Sequence, residues 1–496
     1  MRNECLLAGI LACTLTAALE GAELVSGPMV GHTTDRSVRI WARGDAEAEM
    51  VVAVSEAADL ANPMKSAPVR MRAARDFTGV CEVAGLQSAT RYYYNVFLDG
   101  QARLSGELPS FRTFPSEGRP AQFRVMFGGG IRFQVDPEQV IWDDMLKLRP
   151  LAMIQMGDNV YADNYIEDRH LKMAVALGDN VKYLKKNDHD GQVRYVKDSA
   201  DQRSTRVYYR IQQSLPPYRR FIAATPTYAV WDDHDSFGEG GGRGVPPISD
   251  RLKLGIQVFS ENFAHPYYGG GDAAPGTWCH FSVADCDFFL LDARTYRGAG
   301  FDNRGRKPFL GEAEEQWLRE RLATSKATFK FLVCGSPWNN QSKKSGVRTT
   351  EDNYYDNHGD TLASFKWARD ELFRYIIEKK IAGVILLSGD RHRGDIAQVW
   401  PKGMPEHVFH DLNNCNIASR TTTPAFQPGE EGLLHSYSGR CFGTLDIDTT
   451  ARPATITYTL WGSRQGRPPF AQQQVFVLRA TDFLPAPVGP VRTPEE

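Results

Sequence analysis

No two cysteines stand at CxxC spacing anywhere in the 496 residues, so the ligand pattern of zinc fingers, zinc ribbons and thioredoxin-like redox sites is missing. Structural zinc is disfavoured. Cysteine is sparse as well: of eight, Cys5 and Cys13 lie close to the N-terminus, leaving Cys81, Cys279, Cys286, Cys334, Cys415 and Cys441. Cys279 and Cys286 flank a short turn between two apolar runs, a spacing open to a bridge in an oxidising compartment.

An excess of one charge is also lacking. Lys and Arg total 58 against 60 Asp and Glu, a net charge of −2. With no long block of one sign, the chain does not carry the signature of a general nucleic-acid or acidic-surface binder, and a small-molecule partner is expected. The cluster of Lys182, Lys185 and Lys186 near Arg194 and Lys197 reads as a solvated helical face. There is no internal repeat. Nor is there a GxSxG elbow: Ser336 in CGSPW has no second glycine at the required spacing, which sets aside a serine nucleophile of that kind.

Long apolar runs are absent beyond the N-terminus, so no membrane span is expected. The N-terminus itself has Arg2, then an apolar run from Leu6 to Leu19, then small residues. That is the layout of a signal peptide over residues 1–22, with cleavage after Ala18 or Ala22. A lipid-modified Cys13 in ILAC is the weaker alternative because the preceding run is short. The mature product is expected outside the cytoplasm, whether periplasmic, on the cell surface or secreted.

What is present describes a folded chain of more than one unit. Hydrophobic residues make up 42% and charged residues 24%, a globular balance, and the length exceeds one ordinary domain. From residue 23 to 115, short alternating runs (SVRIWAR, MVVAVS, RYYYNVFLDG) separated by Gly, Asp and Ser turns predict a small β-sandwich. Leu86 followed by Tyr92, Tyr93 and Tyr94 suggests the tyrosine corner of an immunoglobulin or fibronectin type III module. FPSEGRP then reads as a linker. From residue 121 to 480 apolar strands alternate with amphipathic helices, which predicts a layered α/β core. Residues 165–220, charged and Tyr-rich with a mostly helical pattern, read as an insertion over the site. Strand patterns return from Cys441 to Leu478 to complete a sheet, and residues 481–496 form a tail.

Three apolar strands run directly into loops rich in Asp and His. LAMIQM leads into Gly157, Asp158, Asn159, Val160 and Tyr161; TYAV into Trp231, Asp232, Asp233, His234 and Asp235; VILLS into Gly389, Asp390, Arg391 and His392. Loops at the carboxyl ends of strands in α/β sheets converge on the ligand crevice, so these three can meet. GD after a strand is by itself an ordinary turn, and GDRH could be a strand exit with a satisfied histidine. WDDHD resists such a reading, because three carboxylates beside a histidine repel one another unless a cation offsets them. Carboxylates with one imidazole and one phenol suit a dinuclear site, with Asp158 as the candidate bridge.

The ordered set, from GDNVYAD through WDDHD and LLDARTYR to LLSGDRH, resembles the alkaline phosphatase D (PhoD-like) family. Its relatives are the purple acid phosphatases within the calcineurin-like metallophosphoesterases. The resemblance covers nearly the whole mature chain. It implies a metallophosphoesterase β-sandwich flanked by helices, preceded by a fibronectin-like module, and hydrolysis of phosphate esters. It implies divalent or trivalent metals, calcium, iron or both, in a site of two or more ions. Asp158 would bridge them, Tyr161 would bind the more oxidised iron, and Asp232, Asp233, Asp390 and His392 would supply further ligands. His234 would be the general acid at the leaving group, with neighbouring Asp235 holding its pKa up. Arg391 would touch a phosphoryl oxygen or point outward. Arg294 would serve substrate or pair with Asp292.

One departure stands out. Where such families show a GSC-like turn, this chain has Phe127, Gly128, Gly129, Gly130 and Ile131, so a cysteine ligand is missing at Gly130. Gly129 and Gly130 either bring backbone N–H groups to a phosphate or form a plain tight turn. A protein that keeps the fold as a binding module without activity is the competing expectation.

Overall fold

The computed structural model describes residues 21–164, 166–177, 183–187, 193–197, 205–235, 250–298, 308–339, 362–420, 432–463 and 467–483. The first unit is two antiparallel sheets over a shared core. One holds the strands Leu24–Thr33, Ser37–Gly44 and Thr78–Ala84, and the other is built on Ala48–Ser55 and Arg91–Leu98. Strand alternation explains the packing. In Ser37–Gly44, Val38, Ile40 and Ala42 enter the sandwich core. Trp41 faces the other way, and its indole N–H donates to Glu261 O at 2.6 Å. The Tyr92 hydroxyl accepts the Gln87 N–H at 2.9 Å, the bond back to upstream backbone that defines a tyrosine corner.

The second unit is two larger sheets face to face. Among the described residues, one runs Thr227–Val230, Ala152–Met156, Gln122–Gly128, Arg440–Asp448, Thr455–Ser463, Ala471–Arg479 in spatial order. The other runs Cys279–Val283, Cys286–Leu290, Phe329–Cys334, Val384–Ser388, Phe409–Asn414, Gly394–Val399, Leu433–Tyr437. The first three strands of the former are parallel, as are Cys286–Leu290, Phe329–Cys334, Val384–Ser388 and Phe409–Asn414. These parallel strands are buried on both faces, as helix-covered strands must be. Ile154, Tyr228, Phe288, Phe331 and Ile385 fill the space between the sheets. Their neighbours Met153 and Ala229 pack under helices on one outer face, and Phe289, Leu332 and Leu386 on the other. The fold is thus layered α/β, as the strand and helix patterns predicted, in the form the resemblance implied, a β-sandwich flanked by helices.

Two expectations are corrected. Cys279 and Cys286 are both unbridged and buried. In their hairpin Cys279 lies opposite Leu290 and Cys286 opposite Val283, four rungs apart, far beyond the reach of a disulfide. The Lys/Arg cluster is not helical: Lys185 and Lys186 lie on the strand Tyr183–Asn187, and Arg194 and Lys197 on Val193–Lys197, paired in a small antiparallel sheet. Lys182 lies outside the described residues. The expected insertion therefore contains strands as well as helices.

Candidate metal centre

Every segment of the site leaves the carboxyl end of a parallel strand. Backbone crowding brings the exits together. Gly389 sits where a Cβ would be 2.1 Å from Met156 O, and a Cβ at Gly129 would be 2.6 Å from Gly157 O. Only glycine allows such contact between adjacent strand ends. The side chains that follow are held in an uncommon backbone region: Asp158 has φ 51°, Asp390 φ 70° and His392 φ 51°. Positive φ at non-glycine residues costs energy and concentrates where function requires a fixed geometry.

The three loops meet as expected. Ligand atoms of Asp158, Asp233 and His234 lie within 4.8 Å of one another, as do those of Asp232, Asp233 and Asp390. Asp233 is common to both groups. His392 Nε2 is 3.4 Å from Asp158 Oδ2 and 2.6 Å from the Tyr161 hydroxyl. Tyr161 donates to Asp158 Oδ2 at 3.0 Å, and its hydroxyl is 3.2 Å from Ser419 Oγ. All six expected ligands converge.

Asp158 Oδ1 and Asp232 Oδ2 are buried with no hydrogen-bond partner. A buried carboxylate oxygen without a partner bears its full desolvation cost. Burial pushes the Asp232 carboxyl up to about 8, with Asp233, Asp390 and Asp158 adding to the shift against Arg294. Burial likewise drives the Tyr161 phenol far above its ordinary range, reinforced by Asp158. Acidic groups this crowded, with orphaned oxygens among them, fit a cation site, and the mix of carboxylate, imidazole and phenol suits a hard or borderline metal.

Around this centre four expected roles are altered. His234 does not rest on Asp235. Its Nδ1 is 2.8 Å from Asp163 Oδ1, and its ring lies 4.1 Å from that of Tyr161 between centroids. Burial pulls the imidazolium down, but Asp158, the Asp163 hydrogen bond and Asp233 outweigh it and raise the pKa to about 10. Asp235 is instead a buried clasp. It accepts the Asn159, Val160 and Asp232 amides at 3.1, 3.3 and 3.0 Å and the Tyr209 hydroxyl at 3.1 Å, tying the GDNVY and WDDHD loops together.

Arg294, 1% exposed, points at ligands. Its Nε donates to Asp232 Oδ1 at 2.5 Å, and Nη2 is 3.7 Å from Asp233 Oδ1. Asp292, the partner expected for it, accepts the Trp231 indole N–H at 2.8 Å and fixes its own turn through the Arg294 and Thr295 amides. Arg294 thus orients carboxylates. Arg391 is buried rather than outward, with Nη2 3.3 Å from Asn339 Oδ1. Burial and nearby Arg393 pull its pKa down to about 10.

The glycine turn offers no amides to a phosphate. Gly129 N–H donates to Asn414 O at 3.2 Å and Gly130 N–H to Gly157 O at 3.3 Å. Both serve strand-to-strand contact, which corrects their expected substrate role. Reading the sequence missed Asp163, Ser419 and the clasp role of Asp235. Asp163 was within sight, since it closes the GDNVYAD run; Ser419 ends CNIAS, a segment with no acidic residue.

Comparison with known proteins identifies the family and the fold. The model of the family PhoD-like phosphatase matches residues 129–436, and that of the PhoD-like phosphatase N-terminal domain matches residues 11–115. The solved structure of PhoD superposes with a TM-score of 0.73 at 15% identity, covering 93% of this chain and 91% of that one. A purple acid phosphatase from yellow lupin (Lupinus luteus) seeds superposes with a TM-score of 0.61 at 11% identity, covering 92% of this chain and 74% of the other. At these identities the structures share the fold. No curated protein matches the sequence.

Proposed function

Because the chain belongs to the PhoD-like phosphatase family and is a phosphoric ester hydrolase, we propose that its reaction takes place at the Asp158–Asp233–Asp390 centre, on small phosphate monoesters or diesters. The observation that carries this is the chain of four carboxylates, Asp158 beside Asp233 with His234 at its edge and Asp233 again beside Asp232 and Asp390, a layout for two neighbouring cations. Asp158, Tyr161, Asp232, Asp233, Asp390 and His392 would hold them, calcium, iron or both. The chemistry that cations supply when bound is neutralisation of the phosphoryl oxygens and acidification of a water.

The protein's own groups do the rest. Arg294 holds Asp232 and sits beside Asp233, so the carboxylates face inward without rotating. His234 carries the proton for the departing alkoxide: Asp163 holds Nδ1, leaving Nε2 as the donor. The Tyr161 ring, tilted by 35° against the imidazole at 4.1 Å between centroids, limits its swing. Arg391, buried and held by Asn339 at 3.3 Å, supplies a fixed positive charge that acts on Asp390.

We further propose that residues 1–22 export the chain, that 23–115 and 121–480 are its two domains, and that 481–496 are a tail. Among the described residues no helix is long and apolar enough to cross a membrane. The test is turnover of a chromogenic monoester and a chromogenic diester by the mature chain, with and without a chelator. Chelator-sensitive hydrolysis is expected, and the faster substrate assigns the ester class. Hydrolysis that persists after all metal is removed would contradict the reading.

A further inference from the structure

Cys415 follows the strand Phe409–Asn414 and is completely buried. Its segment runs against the glycine turn: Ile417 N–H donates to Gly129 O at 2.9 Å and Ala418 N–H to Gly130 O at 3.0 Å. A Cβ placed on Gly130 would lie 3.1 Å from Cys415 O and 3.4 Å from its sulfur. The space that a side chain at position 130 would enter is therefore bounded by the thiol of Cys415. On another side the Asp390 backbone lies near enough to influence that sulfur. Asp158 and Asp232, each with a buried carboxylate oxygen lacking any hydrogen-bond partner, are among the charges that act on it.

A buried cysteine with a purely structural role behaves as a small hydrophobe. Cys81 is such a case, inside the apolar core of the N-terminal sandwich. Cys415 belongs to none of the apolar clusters among the described residues, and the acidic side chains around it are the ligand candidates.

We propose that Cys415 is a sulfur ligand of the metal centre, delivered from the segment after Phe409–Asn414 into the space left by glycine at position 130. The inference rests on the metallophosphoesterase reading and refines it. A thiolate is a soft ligand that selects iron or zinc over calcium or magnesium, so at least one position would hold a transition metal. The sulfur belongs to neither tight group of ligand atoms. Metal binding must draw it inward.

X-ray absorption at the zinc edge of the zinc-loaded full chain tests this, beside Cys415→Ser and, as a control, Cys81→Ser. The expected wild-type spectrum has a sulfur shell at about 2.3 Å, kept in Cys81→Ser and lost in Cys415→Ser, with the oxygen and nitrogen shell retained. A wild-type shell of oxygen and nitrogen alone would overturn the proposal, as would a sulfur shell that survives Cys415→Ser. The wild-type spectrum decides even if the variant does not fold. Failure of the underlying reading looks different: the wild type would then show no metal-dependent hydrolysis, whatever its spectrum.

Discussion

His234 shows how one side chain is set for its task by others. In the metal-free protein its protonated form is favoured by Asp158, the Asp163 hydrogen bond and Asp233 against the cost of burial; with cations on Asp158 and Asp233, the Asp163 hydrogen bond remains to hold the proton for its work as an acid. Replacing it with Ala should slow esters of poorly leaving alcohols by about 100-fold or more while sparing those of good leaving groups. Equal slowing of both classes would remove the assigned role. Asp163→Asn takes away the hydrogen-bonded carboxylate on Nδ1. The imidazolium then loses its proton at lower pH, and the alkaline limb of kcat should move down by about one pH unit. An unmoved limb would show that Asp163 does not govern the acid.

At the scale of elements, the site depends on strand ends that touch. Gly129→Ala forces a Cβ to within 2.6 Å of Gly157 O, and backbone on both sides leaves little room to yield. The variant should lose about 1–3 kcal/mol of stability and bind metal more weakly, because Asp158 directly follows Gly157. Chemical denaturation with metal titration would read both effects. Much of this level was legible in the sequence: strands ending in GDNVY, WDDHD and GDRH could be recognised and their convergence anticipated from α/β topology. The hidden part was pairing between loops. Asp235 accepting amides of residues 159 and 160, and Arg294 reaching Asp232 rather than the adjacent Asp292, are contacts across 62 to 76 positions that no local spacing encodes. The lysine run failed for the opposite reason: short charged stretches carry little periodicity, and pairing between two hairpin strands decided their conformation.

Across the whole molecule, the metal centre is expected to tie stability to pH. The carboxyl of Asp232 is raised from 3.8 to about 8 and that of Asp235 from 3.8 to about 7, in both cases chiefly by burial. A folded pKa above the unfolded value means that the folded state holds the extra proton between the two. The metal-free protein should therefore lose stability as pH rises from about 4 to about 8. His234, raised from 6.5 to about 10, acts in the same direction above neutrality. Bound cations replace those protons. Chelation should accordingly lower Tm by several degrees at pH 8 and much less at pH 5, as scanning calorimetry would show. A chelation effect equal at both pH values would contradict this linkage.

The most direct test of the central claim is Asp158→Ala, assayed for phosphate-ester turnover and, by elemental analysis, for bound metal in the same preparation. The account predicts a folded protein that has lost both together, since Asp158 faces Asp233, His234, Tyr161 and His392 at once. A variant that keeps its metal and its turnover would contradict the placement of the active centre at these strand ends.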